Sequence, residues 1–436
     1  MSFAICWRHV LQEPSILRLG LTISTLGSPF ALGIGGILTA AEPQAQLSDL
    51  SQGIVDFVGM LSHKCLTAFR SERSVEMASS GSARMPWWAW SWQVLALVIF
   101  GIHAILGSSF PLAAAENAAL VGTVLAAVYH AEVVAHRVGE PFGSLVLALA
   151  VTTIEVALIV SMMVAGGGDT AGLPRDTVFA AVMIVCNGIV GLCLLAGGLR
   201  HHEQVFQLQG AQAALSVLIA LTTLTMIVPL VAGPGPSFTS AQLVFVAIVS
   251  LTLYGSFLFV QTIRHRDFFL PESSEGEESH APPPTNKVAF LSAGLLLASL
   301  VLVVALAKVL TPTLELVIDR AGAPRSFVGI VIAGLVLLPE GLASYRAAKA
   351  NRLQTSMNLA LGSVLATIGL TIPAVACVSI LLNIPLILGL NSKEELLLVL
   401  TLIISLITVG TGRTTVLQGI VHLVIFATFL FFSVLP

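Results

Sequence analysis

Apolar runs of about 20 residues, each able to cross about 30 Å of hydrocarbon, recur from Trp87 to the C-terminal end of the chain. They fall near 87–107, 112–135, 143–165, 177–198, 208–232, 238–262, 287–310, 326–346, 356–382, 394–411 and 414–435, eleven in all. With 56% hydrophobic and 10% charged residues, the chain lies far from a soluble domain, in which roughly a quarter of residues are charged. The expected fold is an all-α polytopic membrane protein with about eleven transmembrane helices. Trp87, Trp88, Trp90 and Trp92 read as an interfacial belt at the start of the first helix. The net charge of −3 sits in the loops, and no basic stripe suggests a nucleic-acid partner. The five cysteines show no CxxC pair and read as packing residues.

Two of the spans carry a carboxylate near their middle: Val151-Thr152-Thr153-Ile154-Glu155 and Val336-Leu337-Leu338-Pro339-Glu340. An ionised carboxylate at that depth costs several kcal/mol unless it is paired, protonated or coordinated. With the first helix set aside, two five-helix halves remain, and each glutamate lies in the second helix of its half. An odd number of helices makes the halves enter the membrane from opposite sides. This is an inverted repeat, the arrangement in which secondary transporters place a binding site at the midplane.

The domain reading follows: an N-terminal extension over 1–85, a first transmembrane helix over 86–111, a first half over 112–263, an acidic linker over 264–286 and a second half over 287–436. Ile16 to Ala41 is apolar but rich in Gly, Ser and Thr, so it reads as a weak span or a poor signal peptide. Met77 and Met85 both precede the first convincing helix, and the expectation is an extension that is misannotated or disordered. The linker holds Glu272, Glu275, Glu277 and Glu278 and then three prolines, the composition of a solvated connector. It lacks the spacing of an EF-hand. From Arg137 onward the Lys and Arg residues divide nine to five between alternate loops. That bias predicts an N-terminus inside and a C-terminus outside.

Oxygen-bearing residues surround the two glutamates in sequence. Thr152 lies three residues before Glu155, hence on the same helix face. Pro339 cannot donate a hydrogen bond, which frees the carbonyl of Leu335 beside Glu340. Asn187 interrupts an apolar run, and Ser363 and Thr367 share a face at i, i+4. Carboxylate, carbonyl, amide and hydroxyl oxygens suit a hard cation such as Ca²⁺; no His/Cys cluster argues for zinc or copper. Each supporting residue also has a purely structural reading. Thr and Ser bond back to their own helix, Asn187 glues helices together and Pro339 only kinks. Glu116 and Glu132 sit nearer the predicted ends of the second helix, where snorkelling is easy. Glu132 with His130 is either a proton relay or an interfacial pair.

The motifs around these residues are similar to a known family. His130-Ala131-Glu132, the run Ala135 to Ser144 and Glu155-Val156-Ala157-Leu158-Ile159 resemble the first signature repeat of the bacterial calcium/proton antiporter family, within the cation/calcium exchanger superfamily. Leu338-Pro339-Glu340-Gly341-Leu342, Asn358 to Thr367 and Gly410-Thr411-Gly412-Arg413-Thr414 resemble its second half. The resemblance runs from about residue 86 to the end and is nearest to the ChaA-type branch, linked to Ca²⁺/H⁺ and also Na⁺/H⁺ or K⁺/H⁺ exchange. It implies that Glu155 and Glu340 are the shared cation and proton sites. There is one departure. Many superfamily members carry Gly-Asn before the glutamate, the Asn ligating metal, whereas Val151-Thr152 and Val336-Leu337 stand here. Fewer amide oxygens leave room for Na⁺ or K⁺.

The expected function is antiport of Ca²⁺ against protons by alternating access, with no resident cofactor, the transported ions and the bilayer being the partners. A monovalent cation/proton antiporter is the second reading. An intramembrane enzyme lacks any HExxH or GxSxG motif or intramembrane Asp pair. A cation channel would conduct without a proton gradient.

Overall fold

A computed structural model describes residues 85–435 apart from 107–109, 140–141, 167–169, 233–234, 271–283, 322–323 and 325. The N-terminal extension and the glutamates of the acidic linker lie outside the described residues. Met85–Pro436 forms one compact unit. Its described part contains eleven long helices: α1 (Trp87–Leu106), α2 (Phe110–Val138), α3 (Phe142–Gly166), α4 (Leu173–His201), α5 (Leu208–Ala232), α6 (Ser240–Arg264), α7 (Asn286–Ala321), α8 (Ser326–Lys349), α9 (Leu353–Leu382), α10 (Ser392–Gly410) and α11 (Val416–Val434). Ten of the eleven are long and apolar enough to span a membrane. The other, α10, has 19 residues and opens with Lys393, Glu394 and Glu395.

Helix ends follow local chemistry. Thr239, Asn391 and Thr415 form capping boxes with Gln242, Glu394 and Gln418, which starts α6, α10 and α11 where the apolar runs begin. The expected span 287–310 is the largest departure. Its helix, α7, has 36 residues and is about 54 Å long, because the helix continues beyond the apolar run through a segment that includes Glu315 and Asp319. Hydropathy alone senses only the lipid-facing part. The helices α4, α5 and α6 also contain π-helical turns, at Ile184–Ile189, Thr223–Ile227 and Val260–Arg264.

Packing repeats between the halves. The first helices of the two halves, α2 and α7, pack on each other. The second helix of each half packs on the third of the other: α3 on α9, and α8 on α4. The third of each packs on the fifth of the other: α4 on α11, and α9 on α6. Such reciprocal pairing is what a two-fold relation between the halves produces, and it brings α3 and α8, with their glutamates, to the centre. Outward faces stay apolar, as at Leu97, Ile105, Phe290 and Leu381, which suits lipid rather than water.

The extra helix α1 is tied to the first helices of both halves. Gln93 Nε2 donates to Ser299 Oγ of α7 at 3.0 Å, and His130 Nε2 of α2 lies 3.0 Å from the Ala89 carbonyl. His103 Nδ1 meets Glu116 Oε1 of α2 at 2.7 Å. This corrects the expectation for Glu116. It does not snorkel at an interface; it is 2% exposed and partnered by a histidine from the neighbouring helix. At one end of the bundle the loops after α4 and α10 pair as a two-residue ladder, Gln204↔Thr414 and Val205↔Arg413.

Candidate functional site

Glu155 occupies the middle of α3, buried to 1% exposure. Its Oε2 accepts a 2.9 Å hydrogen bond from Thr367 Oγ1 of α9, and its Oε1 is buried with no hydrogen-bond partner. Glu340 projects from the middle of α8, and its Oε2 is likewise buried without a partner. The two carboxylates are close enough to act on each other electrostatically. Reciprocal packing of second on third helices assembles this region: α9, packed on α3, delivers Thr367 to Glu155, and α8, which carries Glu340, contacts α3 directly.

An unpaired carboxylate oxygen in a protein interior forfeits more than it can regain from packing. Two such oxygens, on helices that contact each other, offer a place for a proton or a cation. Where two carboxylates interact in this way, proton loss belongs to the pair rather than to either residue. Among the described residues no group of three or more His, Cys, Asp or Glu side chains is placed to hold a metal ion. Any ion here therefore relies on two carboxylates and neutral oxygens.

The supporting residues divide. Thr367 joins the site directly. Thr152 is buried one turn before Glu155. Ser363 and Leu335 are half-buried on α9 and α8, and α8 runs unbroken through Pro339. Asn187 is at the right depth, since α4 and α8 run side by side in parallel. Gly329 abuts Asp176 and Thr177, and Gly341 abuts Ile189. Its amide, however, is spent on α10 and α11, donating to Thr401 Oγ1 at 2.9 Å while Oδ1 meets His422 Nδ1 at 3.1 Å. His130 and Glu132 are not brought together. Two residues apart, they point to opposite sides of α2; His130 is buried against Ala89, while Glu132 is exposed and within electrostatic reach of Glu340.

Two further hydroxyls escaped the sequence reading. Thr371, one turn beyond Thr367, and Ser344, one turn beyond Glu340, are fully buried with unpaired oxygens. Their i+4 spacing from the chosen residues was the available signal. Pro373 inside α9 also frees the Gly369 carbonyl as Pro339 frees that of Leu335.

The profile of the sodium/calcium exchanger protein family matches residues 92–263 and 291–435. The chain is 48% identical over 363 residues to the Sinorhizobium fredii protein y4hA, a candidate ionic transporter by its name, covering 81% of this chain and 98% of that one. It is 38% identical over 346 residues to the sodium-potassium/proton antiporter ChaA of Escherichia coli, covering 77% and 93%. The crystal structure of the H⁺/Ca²⁺ exchanger CAX shares the fold, with a TM-score of 0.61 at 15% identity over 79% of this chain and 87% of that one. The chain is an integral multi-pass membrane protein and belongs to the sodium/calcium exchanger protein family.

Proposed function

We propose that this chain is a secondary active cation/proton antiporter, extruding Ca²⁺ against inward protons by alternating access between its two halves. The observation that carries the reading is the pair of buried, unpartnered carboxylate oxygens on Glu155 and Glu340 in matching helices of the two halves. In a low-dielectric site the occupied states that survive are neutral ones. Two carboxylates are neutralised by two protons or by one Ca²⁺, and never fully by both, so binding of one expels the other. This competition is the coupling. Thr367 and Thr152 would add hydroxyl oxygens to the cation, and Thr371 and Ser344 lie one turn further along the same helix faces.

A second reading, exchange of Na⁺ or K⁺ on the same site, is favoured by Asn187. Its oxygen faces His422, so the site has few neutral ligands beside its carboxylates, short of the six to eight oxygens that Ca²⁺ prefers. The 38% identical relative is named for sodium, potassium and protons. One monovalent cation with one retained proton is also a neutral state of the pair. The Lys and Arg bias of the loops supports the start of α1 facing the cytoplasm, and the bacterial relatives support an inner membrane.

Purified protein in vesicles loaded with a pH dye tests both readings. Ca²⁺, Na⁺ and K⁺ are added in turn and proton release is followed. Release on Ca²⁺ supports the first reading and release only on Na⁺ or K⁺ the second. Glu155→Gln and Glu340→Gln should each reduce release to the level of empty vesicles, because Gln neither gives up a proton nor balances a cation. Robust proton-coupled transport by either variant would reject the mechanism.

A further inference from the structure

The π-helical turn Ile184–Ile189 of α4 is wedged between the helix that carries Glu340 and α11. On one side Ile189 packs on Gly341, where a methyl group would lie 3.1 Å from its Cδ1. On the other side Gly188 meets the ring of Phe426, and Gly191 meets Leu423 and His422. A shift of this turn is therefore passed to the residue next to Glu340.

Inside this wedge runs a chain of hydrogen bonds whose direction is set by its members. Thr401 Oγ1 donates to Met183 Sδ at 3.4 Å and accepts from Asn187 Nδ2 at 2.9 Å. The Oδ1 of Asn187 then faces His422 Nδ1 at 3.1 Å, so that nitrogen carries the proton. His422 Nε2 is left as the acceptor for Thr408 Oγ1 at 3.1 Å. Every member is buried: Asn187 and Thr401 are 0% exposed, His422 1% and Thr408 4%. With all dipoles aligned, the bonds reinforce one another. A small cavity beside the ring is lined by Cys186, Ser405 and Thr408 together with apolar side chains such as Leu215 and Val409.

We propose that His422 is a positioning residue for the cation site. It acts as a neutral Nδ1–H donor that locks Asn187, and with it the π turn behind Glu340. The inference rests on the exchange reading above and deepens it. It gives His422 a role as a hydrogen-bond donor rather than as a titrating proton carrier. It also makes Asn187 a structural clamp rather than a cation ligand.

The test measures cation-dependent proton release in vesicles for wild type, His422→Leu, His422→Asn and Thr401→Val, with thermal unfolding in detergent beside it. Asn carries an N–H in the place of Nδ1 but cannot titrate. His422→Leu and Thr401→Val should raise KM for the cation about fivefold or more, as expected for a lost buried hydrogen bond, with Vmax changed less. His422→Asn should restore KM to within about twofold and leave the pH profile of exchange unchanged. If His422→Leu fails to fold, Thr401→Val and His422→Asn decide the matter. A wild-type KM in folded Thr401→Val overturns the proposal. So does a His422→Asn protein as impaired as His422→Leu, since the imidazole itself would then be needed. Wild-type protein that exchanges no cation at all would overturn the exchange reading, and this inference with it.

Discussion

Glu155 is held by a single donated hydrogen bond, and Thr367 supplies it from 212 residues away. Removing that donor with Thr367→Val leaves both Glu155 oxygens without a hydrogen-bond partner. The loss is on the order of 1–3 kcal/mol for a buried bond to a charged group. The expected result is roughly a tenfold or greater increase in the cation concentration needed for half-maximal exchange, with Thr367→Ser close to wild type. Vesicle exchange at fixed pH measures it. Glu132 offers the contrast. It is exposed and acts on Glu340 only through space, so Glu132→Gln should leave measurable exchange where Glu340→Gln leaves none.

Helices in this fold approach closely where one of them has no side chain. A methyl group on Gly329 of α8 would lie 2.8 Å from backbone atoms of Asp176 and Thr177, and one on Gly419 of α11 would lie 2.5 Å from the Leu195 nitrogen. Neither backbone can yield as a flexible side chain would, so a branched residue there must push two helices apart. Overpacking of this kind costs about 1–3 kcal/mol. Gly329→Val and Gly419→Val are therefore expected to unfold at lower temperature than wild type in detergent. Gly101, with no atom within 4 Å of such a methyl, should accept Ala without loss. Light-scattering or dye-based melting curves separate these outcomes.

The proposed exchange on Glu155 and Glu340 makes a definite prediction about charge and pH. If both ions use this pair, each proton must leave before the cation binds, so proton and cation compete. Apparent cation affinity should rise with pH and level off once both carboxylates are ionised. Protons should inhibit competitively at the lower end. If one Ca²⁺ replaces two protons, no net charge moves and an imposed membrane potential should not alter the rate. One Na⁺ or K⁺ for one proton would be equally neutral, so a rate that follows the potential would require an occupied pair that is not neutral.

The number of helices, their approximate limits and the two carboxylates in matching positions were legible in the sequence. Hydropathy and the cost of a mid-membrane charge are sums over contiguous residues, so no knowledge of neighbours is needed. The halves could be paired from helix count alone. Which oxygens meet was decided only by tertiary structure. Ser363 and Thr367 were equivalent as a sequence pattern, yet only Thr367 bonds to Glu155. Asn187 stood at the correct depth, but it is claimed by His422, 235 residues away. Glu116 looked interfacial until α1 brought His103 against it. Hydrogen bonds between side chains depend on how helices are rotated about their axes and where π turns shift their register. Both are fixed by packing against distant segments, so composition and local spacing carry no trace of them.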